Sequence, residues 1–206
     1  MDHRLFFPAT QRNKKYIGDV LSEILLKKGS VLEIGSGSGE HGIEFQKRFP
    51  GITWQTSDPK LAHRKSISSW IKHEKLFLKM PEPLNIDVRE NPWQITSKLR
   101  ESLQGIISIN MLHIAPWNCT ESLFKESGKL LNKGKFLILY GPFKIENKHI
   151  SESNDLFDKS LKMENNDWGI RNLEELNLEA SLNGFNQKRI IQMPANNLTL
   201  IYRKVS

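Results

Sequence analysis

Val31-Leu32-Glu33-Ile34-Gly35-Ser36-Gly37-Ser38-Gly39 opens as an apolar run and breaks into a turn with a glycine at every second position. A helical pattern follows through about Phe49, so the order is strand, loop, helix. Glycines so spaced let the backbone turn tightly and approach a ligand with no side chain between, while the next helix aims its first amides inward. A nucleotide-like ligand fits such a turn. Gly37-Ser38-Gly39-Glu40-His41-Gly42 formally satisfies the dinucleotide fingerprint. Glu33, two residues before Gly35, would repel a pyrophosphate, yet it suits the ammonium of an amino-acid moiety such as S-adenosylmethionine carries.

Outward from the turn, Ile52 to Ser57 reads as a second strand ending at Asp58, the place from which a carboxylate reaches ribose hydroxyls. Leu84 to Val88 reads as a third strand, with Asp87 placed for an adenine amino group. Singly, the glycines fit any tight turn, and the two acids fit simple caps. In order, each at the carboxyl end of an expected strand, they point to a ligand at the sheet's topological switch point.

The remaining pattern alternates strands and helices, which argues for an α/β fold. Helices are expected over Tyr16 to Lys28, Trp93 to Leu103, Thr120 to Leu131 and Asn172 to Leu182; strands over Gly105 to Met111 and Phe136 to Tyr140. Gly184 to Met193 and Leu198 to Arg203 read as a closing antiparallel pair. The polar stretch 143–169 reads as an insertion over one end of the sheet, able to close as a lid. Length, 206 residues, fits one domain over 1–206, and 38% hydrophobic with 26% charged residues excludes whole-chain disorder. Cys119 is the only cysteine, so neither an internal disulfide nor a four-cysteine zinc site can form. No run of membrane-spanning length occurs and no signal-peptide core precedes the first helix, so a cytoplasmic protein with no membrane partner is expected. The net charge of +7 suits anionic partners, but its basic residues are spread along the chain, and RNA is not the favoured partner.

At this point the chain resembles class I S-adenosylmethionine-dependent methyltransferases. It is most similar to the methyltransferase-like 26 family, a domain of unknown function, through Arg12-Asn13-Lys14, Val31 to Ile34, Trp54 to Pro59, Asn110 to Trp117, Tyr140 to Phe143, Ser151 to Asn154 and Met193 to Asn197. The resemblance implies a Rossmann-like, mostly parallel seven-stranded sheet with a C-terminal antiparallel hairpin and helices on both faces. It implies S-adenosylmethionine as cofactor and S-adenosylhomocysteine as product, held by Asn13, Glu33, Gly35, Ser36, Gly37, Gly39, Asp58, Asp87, Val88 and Asn110. It brings no substrate.

In such a fold the acceptor enters over the fourth strand. His113 is then placed as a general base, its alternative being a structural histidine. Trp117, Tyr140, Ser153 and Asn154 are candidate substrate contacts. The Asn-Pro-Pro-Tyr type of motif used on base amines is absent, and no local His and acid cluster suggests a metal. A small-molecule acceptor is expected. A non-catalytic S-adenosylmethionine-binding protein, a nicotinamide-dependent oxidoreductase and an RNA methyltransferase are the alternatives.

Overall fold

The computed structural model describes residues 2–206, in two compact units, Met1–Ile107 and Ser108–Ser206. The first opens with helix α1, Pro8–Ile24. Pro8 stands in the first turn, where its missing N–H costs nothing. The helix therefore starts well before Tyr16, and Arg12 and Asn13 lie inside it. Ile17, Val20 and Leu21 are its buried stripe, the apolar spacing that marked it in the sequence.

Strand β1 (Gly29–Ile34), helix α2 (Glu40–Arg48) and strand β2 (Ile52–Ser57) follow. β1 and β2 pair in parallel from Gly29 opposite Ile52 to Ile34 opposite Ser57. The two strands thus finish level, and the glycine turn and Asp58 leave from one edge. Under α2, Phe45 and Trp54 are fully buried with ring centroids 4.9 Å apart. Helices α3 (Leu61–His73) and α4 (Ser97–Ser102) lead to β3 (Leu103–Ile109), buried at every residue. The helix expected over Trp93 to Leu103 is thus only its last turn and a half, capped by the Thr96 side chain. The strand expected over Leu84 to Val88 reduces to a single bridge, Ser57 with Leu84. Leu84 donates to the Thr56 carbonyl and accepts from the Asp58 N–H; Pro81 and Pro83 before it have no N–H with which to extend a ladder.

The second unit runs through α5 (Trp117–Leu130), β4 (Phe136–Gly141), β5 (Phe143–Ile145), β6 (Lys148–His149), α6 (Glu152–Glu164), β7 (Arg171–Asn172), α7 (Leu173–Leu182), β8 (Phe185–Met193) and β9 (Asn197–Lys204). β9 pairs antiparallel with both β4 and β8. The hairpin expected at the C-terminus is present, its turn using positive φ at Ala195 and Asn196. The strand order is β2-β1-β3 in the first unit and β4-β9-β8 in the second, with β1 and β2 parallel and β9 antiparallel to both its neighbours, so strand direction is mixed rather than mostly parallel over seven strands. A separate three-stranded sheet, β6-β5-β7, occupies part of the stretch read as an insertion. That stretch is a hairpin and a 13-residue helix, with Phe143 and Leu161 in the core while Leu156, Phe157 and Met163 of the same stretch are exposed. Among the described residues no helix is long and apolar enough to cross a membrane.

Candidate functional site

The β1–α2 turn uses positive φ at Gly35 (70°), Gly37 (56°) and Gly39 (91°), a region that costs an L side chain about 1–2 kcal/mol. Gly39 is also sterically required, and at Gly37 a side chain would press on Phe7. A Cβ on Gly37 would lie 3.0 Å from the Phe7 ring, and one on Gly39 would lie 2.6 Å from Ile67. The turn is cross-braced to the end of β2. Ser36 N–H donates to the Ser57 carbonyl at 2.9 Å, and Ser57 N–H returns to Ser36 Oγ at 3.1 Å.

Asp58 joins the turn directly. Its Oδ2 accepts the Gly37 N–H at 3.0 Å, its Oδ1 accepts the Lys60 N–H at 2.9 Å, and His63 Nδ1 stands 3.1 Å from Oδ2. Gly35, Ser36, Gly37, Gly39 and Asp58 are therefore gathered at one place. Asp87 and Val88 lie elsewhere on the first unit's chain, after the Leu84 bridge. Asp87 is engaged by Arg89, whose side chain and N–H both donate to it and hold its carboxyl below the usual range. Val88 is buried, its carbonyl taking the Trp93 indole N–H at 3.1 Å.

Glu33 and Asn13, both expected to hold the cofactor, are buried. Glu33 does not offer an exposed charge to an ammonium. It is 1% exposed, and Trp54 Nε1 donates to its Oε2 at 2.6 Å. α2 covers it, since a Cβ on Gly42 would come within 3.1 Å of that oxygen. Burial pushes the carboxyl up to about 7, against the lowering effect of the Trp54 bond and with a further push from the Asp58 charge. Asn13 lies in the second turn of its helix rather than before it. It is buried in α1, with Oδ1 2.7 Å from His41 Nε2, and desolvation drives the His41 pKa down to about 3.

In the second unit Asn110 takes φ 55°, tolerable for Asn, and its N–H donates to the Tyr140 carbonyl at 2.9 Å. A Cβ on Gly141 would stand 3.5 Å from His113 Nδ1 and 3.8 Å from Asn110 Oδ1, so Asn110, His113 and the end of β4 converge. His113 is 7% exposed, with the Phe157 ring edge-on at 5.5 Å. Burial, helped by the Arg171 charge, lowers its pKa to about 4, which keeps the imidazole neutral at pH 7. Ser153 and Asn154 are not placed with it by any bond. Asn154 is buried and ties α6 to the hairpin turn, its Nδ2 donating to the Asn196 carbonyl at 3.0 Å.

Residues that sequence reasoning missed hold these parts in place. Arg171 donates from Nε to the Leu112 carbonyl at 3.0 Å and from Nη2 to the carbonyls of Ala115 and Asp167, with its guanidinium 5.8 Å from the Trp117 ring. Asp158, 3% exposed, accepts the Ile170 N–H at 2.6 Å and faces Lys144, Lys162 and His149. No short motif could reveal either, because Arg171 reaches the Leu112 and Ala115 carbonyls and Asp158 the Ile170 N–H, all distant in sequence.

A family model described as "Protein of unknown function (DUF938)" matches residues 4–204. The chain belongs to that family. Among solved structures, this DUF938 chain is similar to an O-methyltransferase family protein from Burkholderia thailandensis (15% identity, 96% of this chain and 58% of that one, TM-score 0.77). It is similar to human N-acetylserotonin methyltransferase solved with S-adenosylmethionine (15% identity, 96% and 53%, TM-score 0.73). It is also similar to an O-methyltransferase family 2 protein from Planctomyces limnophilus in complex with apigenin (14% identity, 94% and 62%, TM-score 0.73). The DUF938 chain spans a little over half the length of these structures. What they share with it is the fold.

Proposed function

We propose that this protein is an S-adenosylmethionine-dependent methyltransferase that acts on a small-molecule acceptor by in-line transfer, working as one domain over 1–206 and closest to the methyltransferase-like 26 family. The observation that carries the reading is the meeting of the three positive-φ glycines with Asp58, at the level ends of two parallel strands. The donor set fits the cofactor: the positive-φ glycine turn presents backbone with no side chain between it and a ligand, and a strand-end carboxylate stands beside it. The likeness to methyltransferase structures and the family match over 4–204 support it.

In this reading Gly35, Ser36, Gly37, Gly39 and Asp58 hold the cofactor, with Asp87, Val88 and Asn110 as further contacts. Glu33 and Asn13 act from beneath by fixing the turn and α2. The bound cofactor supplies an activated methyl group and leaves as S-adenosylhomocysteine. The protein's part is then mainly positioning, which can supply much of the acceleration when the acceptor is already nucleophilic. His113, held neutral by burial, can accept a hydrogen bond from an acceptor hydroxyl and take its proton as the methyl arrives. Trp117, Tyr140, Ser153 and Asn154 are proposed to flank the acceptor. A cytoplasmic site of action belongs to the same reading, on the single buried cysteine, Cys119.

Calorimetric titration with S-adenosylmethionine, and separately with a nicotinamide dinucleotide, tests the proposal. Wild type should bind only the former, and Asp58→Ala should weaken it about tenfold or more, the equivalent of one charged hydrogen bond. Binding of the dinucleotide alone would sink the reading.

A further inference from the structure

The segment before α1 has no regular structure over residues 2–7, yet two elements hold it. Leu5 N–H donates to Ser66 Oγ at 2.9 Å, and the Trp70 indole donates to the Leu5 carbonyl at 3.1 Å, both from α3. Phe7 N–H donates to Glu40 Oε2 at 2.7 Å, in the first turn of α2. Phe6 packs edge-on to Trp70 at 5.0 Å, and the Arg4 guanidinium lies 4.8 Å from the same ring.

Two of the residues that hold this arm, Ser66 and Glu40, also hold the glycine turn. Ser66 Oγ accepts from Leu5 and donates onward to the Ser38 carbonyl at 2.7 Å. Glu40, 5% exposed, accepts from Phe7 and also from Ser38 Oγ at 2.8 Å and Gln11 at 2.8 Å. Ser38, between Gly37 and Gly39, is thus fastened on both its carbonyl and its hydroxyl by the arm's own anchors. Phe7 then rests on the turn itself. Its ring is the nearest group to a Cβ on Gly37 and stands edge-on to His63 at 5.9 Å, beside the Asp58 that takes the Gly37 N–H. An aromatic ring 39% exposed against a nucleotide-type turn offers a flat apolar face to a base or sugar.

We propose that Arg4–Phe7 is part of the cofactor site: Phe7 is a wall for the adenosyl group, and Ser66 and Glu40 are positioning residues that couple the arm to the Gly37–Gly39 turn. This rests on the methyltransferase reading for the identity of the ligand, but not for the coupling. Losing the arm loosens the turn and shortens the stay of the cofactor.

The test uses two full-length variants that leave α2 and α3 intact. Phe7→Ala removes the wall, and Leu5→Pro removes the N–H given to Ser66. In the free protein, amide exchange at Gly37 to Gly39 should quicken in Leu5→Pro while that of β4 and β9 stays at the wild-type rate. Calorimetry should show S-adenosylmethionine bound about tenfold more weakly by both variants, about 1.4 kcal/mol. Wild-type affinity in both variants would overturn the proposal, as would wild-type exchange at the turn in Leu5→Pro. Should wild type bind no S-adenosylmethionine, the functional reading fails by itself, and the exchange result still decides whether arm and turn are coupled.

Discussion

The Gly35–Gly39 turn and the Asn110–Trp117 segment both follow a buried strand, but they are held by different means. The turn is fixed chiefly by its own backbone and by the adjacent strand end (positive φ, Ser36 against Ser57, Gly37 against Asp58), with Ser66 and Glu40 bonding Ser38 from the neighbouring helices. The Asn110–Trp117 segment borrows its shape from residues far along the chain, through Arg171 on its carbonyls and Gly169 N–H on the His113 carbonyl. A part built from local geometry should fail when a single backbone position is changed. A part built from distant donors should fail when the donor is removed, wherever that donor sits.

The largest effect is expected at Gly39. An alanine there meets both an unfavourable φ and a 2.6 Å approach to Ile67, so strain and overpacking together should cost about 4 kcal/mol. Urea unfolding of Gly39→Ala measures it. A loss below about 1 kcal/mol would mean that the turn relaxes freely and is not locally fixed.

The next effect lies beneath the same turn and shows as a dependence on pH. Glu33 has its pKa raised from 4.5 to about 7 by burial, so the native state binds the proton more tightly than the unfolded chain. Its destabilising contribution is absent below about pH 4.5, grows as pH rises toward 7, and is then constant at about 3 kcal/mol. His113, lowered from 6.5 to about 4, acts in the opposite sense, its contribution being lost as pH falls below 6.5. The two overlap, so the informative quantity is a difference. Glu33→Gln should gain stability relative to wild type between pH 5 and 7 in paired denaturation curves. A difference that is flat with pH would show that Glu33 is charged in the native state.

Arg171→Met tests the distant support. The carbonyls of Leu112, Ala115 and Asp167 lose a charged donor, a cost of about 2 kcal/mol. Lysine should restore less than half of it, because a point charge cannot reach diverging carbonyls as a planar fork does. The His113 ring resonances should move in both variants. Unmoved resonances would separate His113 from this support.

The same contrast decides what could be read from the sequence. The β1–α2 turn and the β8–β9 hairpin were legible because their signals, glycine spacing and a Pro-Ala-Asn-Asn turn between apolar runs, act over a few residues. The helix start at Pro8 was hidden by the polar run Arg12 to Lys15, although Asn13 is buried. The 143–169 stretch reads as an insertion because Lys, Asn, Glu, Asp and Ser make up most of it, whereas Phe143 and Leu161 carry its packing. Within the site, the positions of Glu33 and Asp58 were legible and their partners were not. Trp54 reaches Glu33 from the neighbouring strand, and parallel register rather than sequence distance brings them together.

The smallest effect sharpens the argument about local geometry, because it keeps the strain and removes the crowding. Gly134, in the second unit, has φ 89°, nearly that of Gly39, but a Cβ there would meet only the Arg203 guanidinium, at 3.7 Å. Its alanine variant should therefore cost only the backbone term, about 1 kcal/mol. Comparing Gly134→Ala with Gly39→Ala under one denaturant isolates what Ile67 contributes. Equal losses would assign the whole requirement for glycine at position 39 to φ. A loss several times larger at 39 would mean that α3 presses the turn into shape, so that the cradle depends on packing from outside its own loop.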